Sequence, residues 1–184
     1  VFASGNGTNA ENIIKYFQNH PNVKVDLVAS NNLEANVLKK ARKHSVSILP
    51  FLPSELKNGK VMEHLKKQEI SFIVLAGFLL KIPTNLITAY PNKIINIHPS
   101  LLPLYGGKGM YGINVHKKVF EERNTETGIT IHFVNEDYDD GAIIFQAKCS
   151  INKYDTIKGI ANKVHKLEKN FFPKIIESIL NEQN

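Results

Sequence analysis

Three residue types in this sequence stand where they could move protons and steady a developing negative charge. Asn96 and His98 lie two apart in "IINIHPSLLPLYGG", residues 94–107, so on a strand their side chains face the same way. Downstream, the acidic turn "NEDYDDG" supplies candidate carboxylates. An amide donor, an imidazole and a carboxylate with no nucleophile beside them suit a reaction in which the substrate brings the nucleophile. No serine sits in a G-x-S-x-G elbow and no two histidines have metal-ligand spacing. The single cysteine, Cys149, lies in a strand-like run and reads as core packing. The sequence therefore points away from a serine hydrolase, a zinc mechanism and a thiol nucleophile.

A second stretch suits an anion. "ASGNGTNA", residues 3–10, falls between a strand and a helix, where backbone N–H groups and a helix N-terminus can receive a phosphate. Gly5 to Ala10 also match G-x-G-x-x-A, but a dinucleotide site needs an acid at the end of the second strand. That strand ends in Ser30, Asn31 and Asn32, and Asp26 falls inside it. No Lys followed by Ser or Thr comes after the glycines, which argues against a triphosphate loop. A site for one phosphate remains, with Asn6, Thr8 and Asn9 able to add side-chain hydrogen bonds. The alternative is a tight turn that simply needs glycine.

The elements that must position these residues follow from periodicity. Val1 to Ala3 read as the tail of a strand, and Ile13, Ile14 and Phe17 recur at helical spacing until His20, Pro21 and Asn22. Strands are expected over residues 23–30, 47–49, 71–77 and 94–97. Helices are expected over 34–44, over 54–68 with Ser54 as its cap, and briefly after Pro83. Beyond these come a helix near 115–122, strands over 128–134 and 142–150, and a terminal helix over 156–181. Alternating strands and helices predict an α/β fold. It is a Rossmann-like, mostly parallel, doubly wound sheet of about seven strands, with helices on both faces and the last strands partly antiparallel.

The chain has 184 residues with 42% hydrophobic and 22% charged, ordinary for one globular domain, 1–184. No window approaches the roughly 18 apolar residues of a membrane span, and no signal-peptide pattern is present, which predicts a cytoplasmic protein. The net charge of +6 comes from lysines scattered over helix faces, with two arginines and no tryptophan, a solvated surface rather than a nucleic-acid one. The expected partners are small molecules, with no nucleic acid and no membrane, for a monomer or homodimer.

"SGNGTN", "VLAGF", "NIHPSLLP" and "HFVNEDYDDGAIIFQAK", in this order, resemble the phosphoribosylglycinamide formyltransferases. These are folate-dependent enzymes that formylate glycinamide ribonucleotide in purine synthesis, using 10-formyltetrahydrofolate as co-substrate and no metal. The resemblance runs from Phe2 to about Pro173. It implies catalytic roles for Asn96, His98 and Asp139. It puts the ribonucleotide phosphate on Gly5, Asn6, Gly7, Thr8 and Asn9, the sugar near Gly77 and the substrate amine near Glu168. Leu75, Leu79, Leu80, Ile82, Ile94 and Val134 would line an apolar folate slot, with Asp140 beside it. The N-terminal half would bind the ribonucleotide, and the C-terminal half the folate and the catalytic loop. The chain departs from the familiar pattern in three places: Leu80, where many members carry arginine; Asp140, where many carry glycine; and "GGKGMYG" after Tyr105.

Two rivals within the chemistry are formylation of initiator methionyl-tRNA and hydrolysis of formyl-folate. Those relatives would carry further domains and usually lack the phosphate loop. A rival from another class is a non-catalytic nucleotide-binding module, which has no need of the asparagine, histidine and carboxylate together.

Overall fold

The computed structural model of the chain describes residues 1–182. They form an α/β fold with parallel and antiparallel strand pairing, divided into two compact units, Val1–Ile95 and Asn96–Asn184.

The first unit begins with a glycine loop and α1 (Thr8–Phe17), which buries Ala10, Ile13, Ile14 and Phe17 on one face. The helix therefore starts inside the expected 4–9 turn. The strand expected over 23–30 is shortened to β1 (Leu27–Ser30), all four residues buried. Its register with β2 (Ser47–Pro50) begins at Leu27↔Ser47, so residues 23–26 extend past the neighbour that could pair with them. Between β1 and β2 lies α2 (Asn36–Lys43), whose Val37, Leu38 and Ala41 join Ala3, Ala10, Ile14 and Val28 in one core cluster.

The helix expected over 54–68 is two helices, α3 (Pro53–Lys57) and α4 (Lys60–Lys67), broken at Asn58–Gly59. Gly59 has φ 89°, which an L-residue in a continuous helix does not adopt. Ser54 is not the cap: Pro53 opens α3, and Glu55 accepts the Leu52 N–H at 2.9 Å. Next come β3 (Ile73–Leu75), α5 (Thr84–Ala89) behind Pro83, and β4 (Ile94–His98), which carries the chain into the second unit. Phe2 makes parallel bridges to Ala29 and Leu75 without forming a longer strand. Its ring meets Phe78 edge-on at 5.3 Å.

The second unit contains α6 (Ile113–Glu121), the hairpin pair β5 (Glu126–Phe133) and β6 (Ile143–Ser150), and α7 (Ile157–Glu182). Six strands are thus formed among the described residues. β5 and β6 pair antiparallel from Glu126↔Ser150, with an irregularity between Ile131 and His132. Such bulges re-aim side chains next to functional sites. The core here joins Val115 and Val119 of α6 to Ile160 of α7.

Candidate active site

β4 ends where its side chains can work. Ile94, Ile95 and Ile97 are buried in the core, which fixes the strand; Asn96 and His98 share the face of Ile94, opposite Ile95 and Ile97. His98 is itself only 3% exposed. Its Nδ1 lies 3.4 Å from Asp139 Oδ2, and its Nε2 donates to the Tyr105 carbonyl at 2.7 Å. The Asn96 amide uses both N–H groups, to His132 Nε2 at 3.1 Å and to Asp139 Oδ1 at 3.3 Å. The Gly107 N–H donates to Asp139 Oδ2 at 2.9 Å. One carboxylate therefore gathers the amide, the imidazole and a loop N–H.

Burial pushes the Asp139 carboxyl up, but its contacts with His132 and His98 and the Gly107 amide outweigh that and hold it well below the carboxylate range. It is ionised at neutral pH. Asp139 sits at φ 55°, a left-handed conformation that costs a non-glycine residue about 1 kcal/mol. The hydrogen bonds at its carboxylate offset that cost. Asp140 is exposed and engaged elsewhere, accepting from Asn135 Nδ2 at 3.2 Å. Of the two adjacent acids, only Asp139 meets Asn96 and His98.

The loop leaving His98 is held from below. Buried Thr130 donates its hydroxyl to the Ser100 carbonyl at 2.7 Å and accepts the Leu102 N–H at 2.9 Å. Gln146 donates to Thr130 Oγ1 and to the Leu102 carbonyl, and Ser100 Oγ donates to the Leu104 carbonyl. β5 and β6 thereby set where Tyr105 and Gly107 meet the site.

The glycine loop in the first unit is also anchored. Ser4 Oγ donates to Asn31 Oδ1 at 2.6 Å and accepts the Leu79 N–H at 2.9 Å. The Val37 N–H donates to the Gly5 carbonyl, and Asn36 Nδ2 donates to Asn6 Oδ1 at 2.8 Å. Gly7 has φ 71°, and a Cβ there would lie 2.3 Å from Val37 Cγ2. Only glycine lets the loop lie this close to α2 and enter α1. Gly77 has φ 75°, and its carbonyl accepts the Ser4 N–H at 3.0 Å.

Nearly the whole chain, residues 1–176, matches the model of the formyl transferase family. The chain is 34% identical over 190 residues to the phosphoribosylglycinamide formyltransferase of Bacillus subtilis, covering 100% of this chain and 95% of that one. It belongs to this formyltransferase family. A chloroplastic phosphoribosylglycinamide formyltransferase of Arabidopsis thaliana is 37% identical over 190 residues; the match covers all of this chain but only 65% of the plant protein. The crystal structure of the Bacillus halodurans enzyme of the same name superposes with a TM-score of 0.90 at 31% identity, covering 100% of this chain and 95% of that one.

Leu75, Ile82 and Ile94 are core residues of the first unit, whereas Leu79 is exposed and Leu80 half-buried. Val134 is half-buried beside the acidic turn in the second unit. Glu168 lies on α7, buried, with Oε2 2.9 Å from His165 Nδ1. Sequence reasoning missed His132, which is 2% exposed. Its Nδ1 donates to the Phe133 carbonyl, so Nε2 faces Asn96 and, at 3.7 Å, Asp139 Oδ1. Its only sequence signal was a polar residue inside the buried run "ITIHFV". Among the described residues, no group of three or more His, Cys, Asp or Glu is placed to hold a metal ion.

Proposed function

We propose that this chain transfers a formyl group from 10-formyltetrahydrofolate to the amine of glycinamide ribonucleotide, a step of de novo purine biosynthesis. The observation that carries this reading is the convergence of Asn96, His98 and ionised Asp139 with no side-chain nucleophile among them. The folate supplies the formyl carbon on a leaving nitrogen. The substrate amine forms the new C–N bond, the bond to the folate nitrogen breaks, and one proton passes from the amine to that nitrogen.

His98 and Asn96 are the oxyanion donors. In the free site their N–H groups are satisfied by Tyr105, His132 and Asp139, so the formyl oxygen takes over as acceptor rather than filling an empty hole. Asp139 keeps His98 oriented and, as a carboxylate, relays the proton. Gly5, Asn6, Gly7, Thr8 and Asn9 receive the phosphate at the start of α1, and Gly77 lies near the sugar. Glu168 meets the amine-bearing part of the ribonucleotide. Leu79, Leu80, Val134 and Asp140 serve the folate directly, and the buried Leu75, Ile82 and Ile94 shape the slot from the core.

The same reading takes the chain as one cytoplasmic domain with a doubly wound sheet and small-molecule partners only. Parallel pairing of β1 with β2 and the parallel bridges of Phe2 support that sheet. No helix among the described residues is long and apolar enough to cross a membrane. The test is an absorbance assay with both substrates. Folate-coupled turnover that requires glycinamide ribonucleotide is expected; hydrolysis of formyl-folate at the same rate without it would overturn the reading.

A further inference from the structure

α6 and α7 bring a second cluster together in the second unit, made of His116, His165 and Glu168. Glu168 is a buried carboxylate, and the partner seen at its Oε2 is His165 Nδ1 at 2.9 Å, one helical turn earlier. The His165 side chain is largely exposed, so the bond joins a buried acceptor to a ring in contact with solvent. His116 is buried and packs edge-on against that ring, with centroids 6.2 Å apart and planes at 82°. Its Nδ1 has no hydrogen-bond partner. Packing therefore holds His116 in place at the expense of one ring nitrogen, with its ring edge-on to that of His165.

We propose that His165 is a positioning residue for Glu168. Tied at Oε2, the carboxylate is locked in one rotamer and presents its other oxygen to the ribonucleotide; this rests on the reading of Glu168 as a substrate contact. The pair also raises the affinity of His165 for its proton, chiefly through the hydrogen bond to Glu168, whereas burial first and then His165 hold His116 neutral. His98 of β4 also acts electrostatically on His116. The hydrogen bond from His165, beside a neutral ring at 116, gives Glu168 one fixed donor.

The test is a double-mutant cycle on the full chain, read as KM for glycinamide ribonucleotide against kcat. His165→Ala is expected to raise KM about 5- to 10-fold, the loss of a partly exposed charge-assisted bond, with a smaller change in kcat. His165→Gln keeps an N–H donor and should recover most of that loss. In a Glu168→Gln background, His165→Ala should add less than about twofold, since coupled residues are not additive. By NMR, the His165 ring should titrate at lower pH in Glu168→Gln. An unchanged KM in His165→Ala, or an equal rise in both backgrounds, would overturn the inference while leaving formyl transfer by the wild type intact. Loss of ribonucleotide-dependent transfer in the wild type is the separate failure, that of the function itself.

Discussion

Asp139 is the residue on which the catalytic cluster converges, and its charge can be separated from its backbone. Asparagine also tolerates the left-handed conformation, so Asp139→Asn removes the charge at little conformational cost. Because the folded-state carboxyl titrates below its ordinary range, it adds stability at neutral pH that is lost as pH falls below about 3.9, through the folded value. Urea unfolding should therefore show Asp139→Asn less stable than wild type at pH 7, with the gap narrowing below pH 4. A gap that is constant with pH would mean that the charge contributes nothing to the fold. Asn96 and His98 were legible in the sequence because two polar residues interrupt a β-branched run at its end. His132 was not, since a lone histidine in a buried strand is more often structural. Its contact with Asn96 appears only once β5 is beside β4's final residues.

Elements place these residues, and the glycine loop is where an element most constrains function. Gly7→Ala would force a Cβ into Val37 and hold an L-residue at φ 71°. The expected result is a loss of about 2 kcal/mol or more in urea unfolding, with a raised KM for the ribonucleotide. Unchanged values would show that α2 can yield. Helices and strands with clear periodicity were found close to their expected places, as with β4 and α7. The misses have physical causes. Residues 23–26 alternate like a strand but have no neighbour in register, so they stay unpaired. The single helix expected over 54–68 is broken at Asn58–Gly59, as Gly59 adopts a positive φ. Ser54 reads as a cap before a helical run, but the preceding Pro53 begins the helix earlier.

At the scale of the molecule, one buried histidine couples packing to acidity. Burial is the main cause that lowers the His116 pKa from 6.5 to about 4. The unfolded chain then binds the proton more readily, so stability present above about pH 6.5 is lost as pH falls toward 4. His116→Phe should flatten the fall in Tm between pH 7 and pH 5; an equally steep fall would assign the acid sensitivity to other groups. The family was legible because its motifs occupy short, chemically constrained stretches, "SGNGTN" and "NIHPSLLP" among them. The division into two compact units was not, because no shift in composition marks the change at residue 95.

The most direct measurement is the formyl-transfer rate of His98→Asn with saturating glycinamide ribonucleotide and 10-formyltetrahydrofolate, compared with wild type in the same assay. Asparagine preserves a neutral N–H donor but cannot carry the imidazole's proton. A fall in kcat of roughly 100- to 1,000-fold, with the fold intact by circular dichroism, is the expected result. Turnover within a few-fold of wild type would contradict the assignment of the chemistry to the Asn96, His98 and Asp139 cluster.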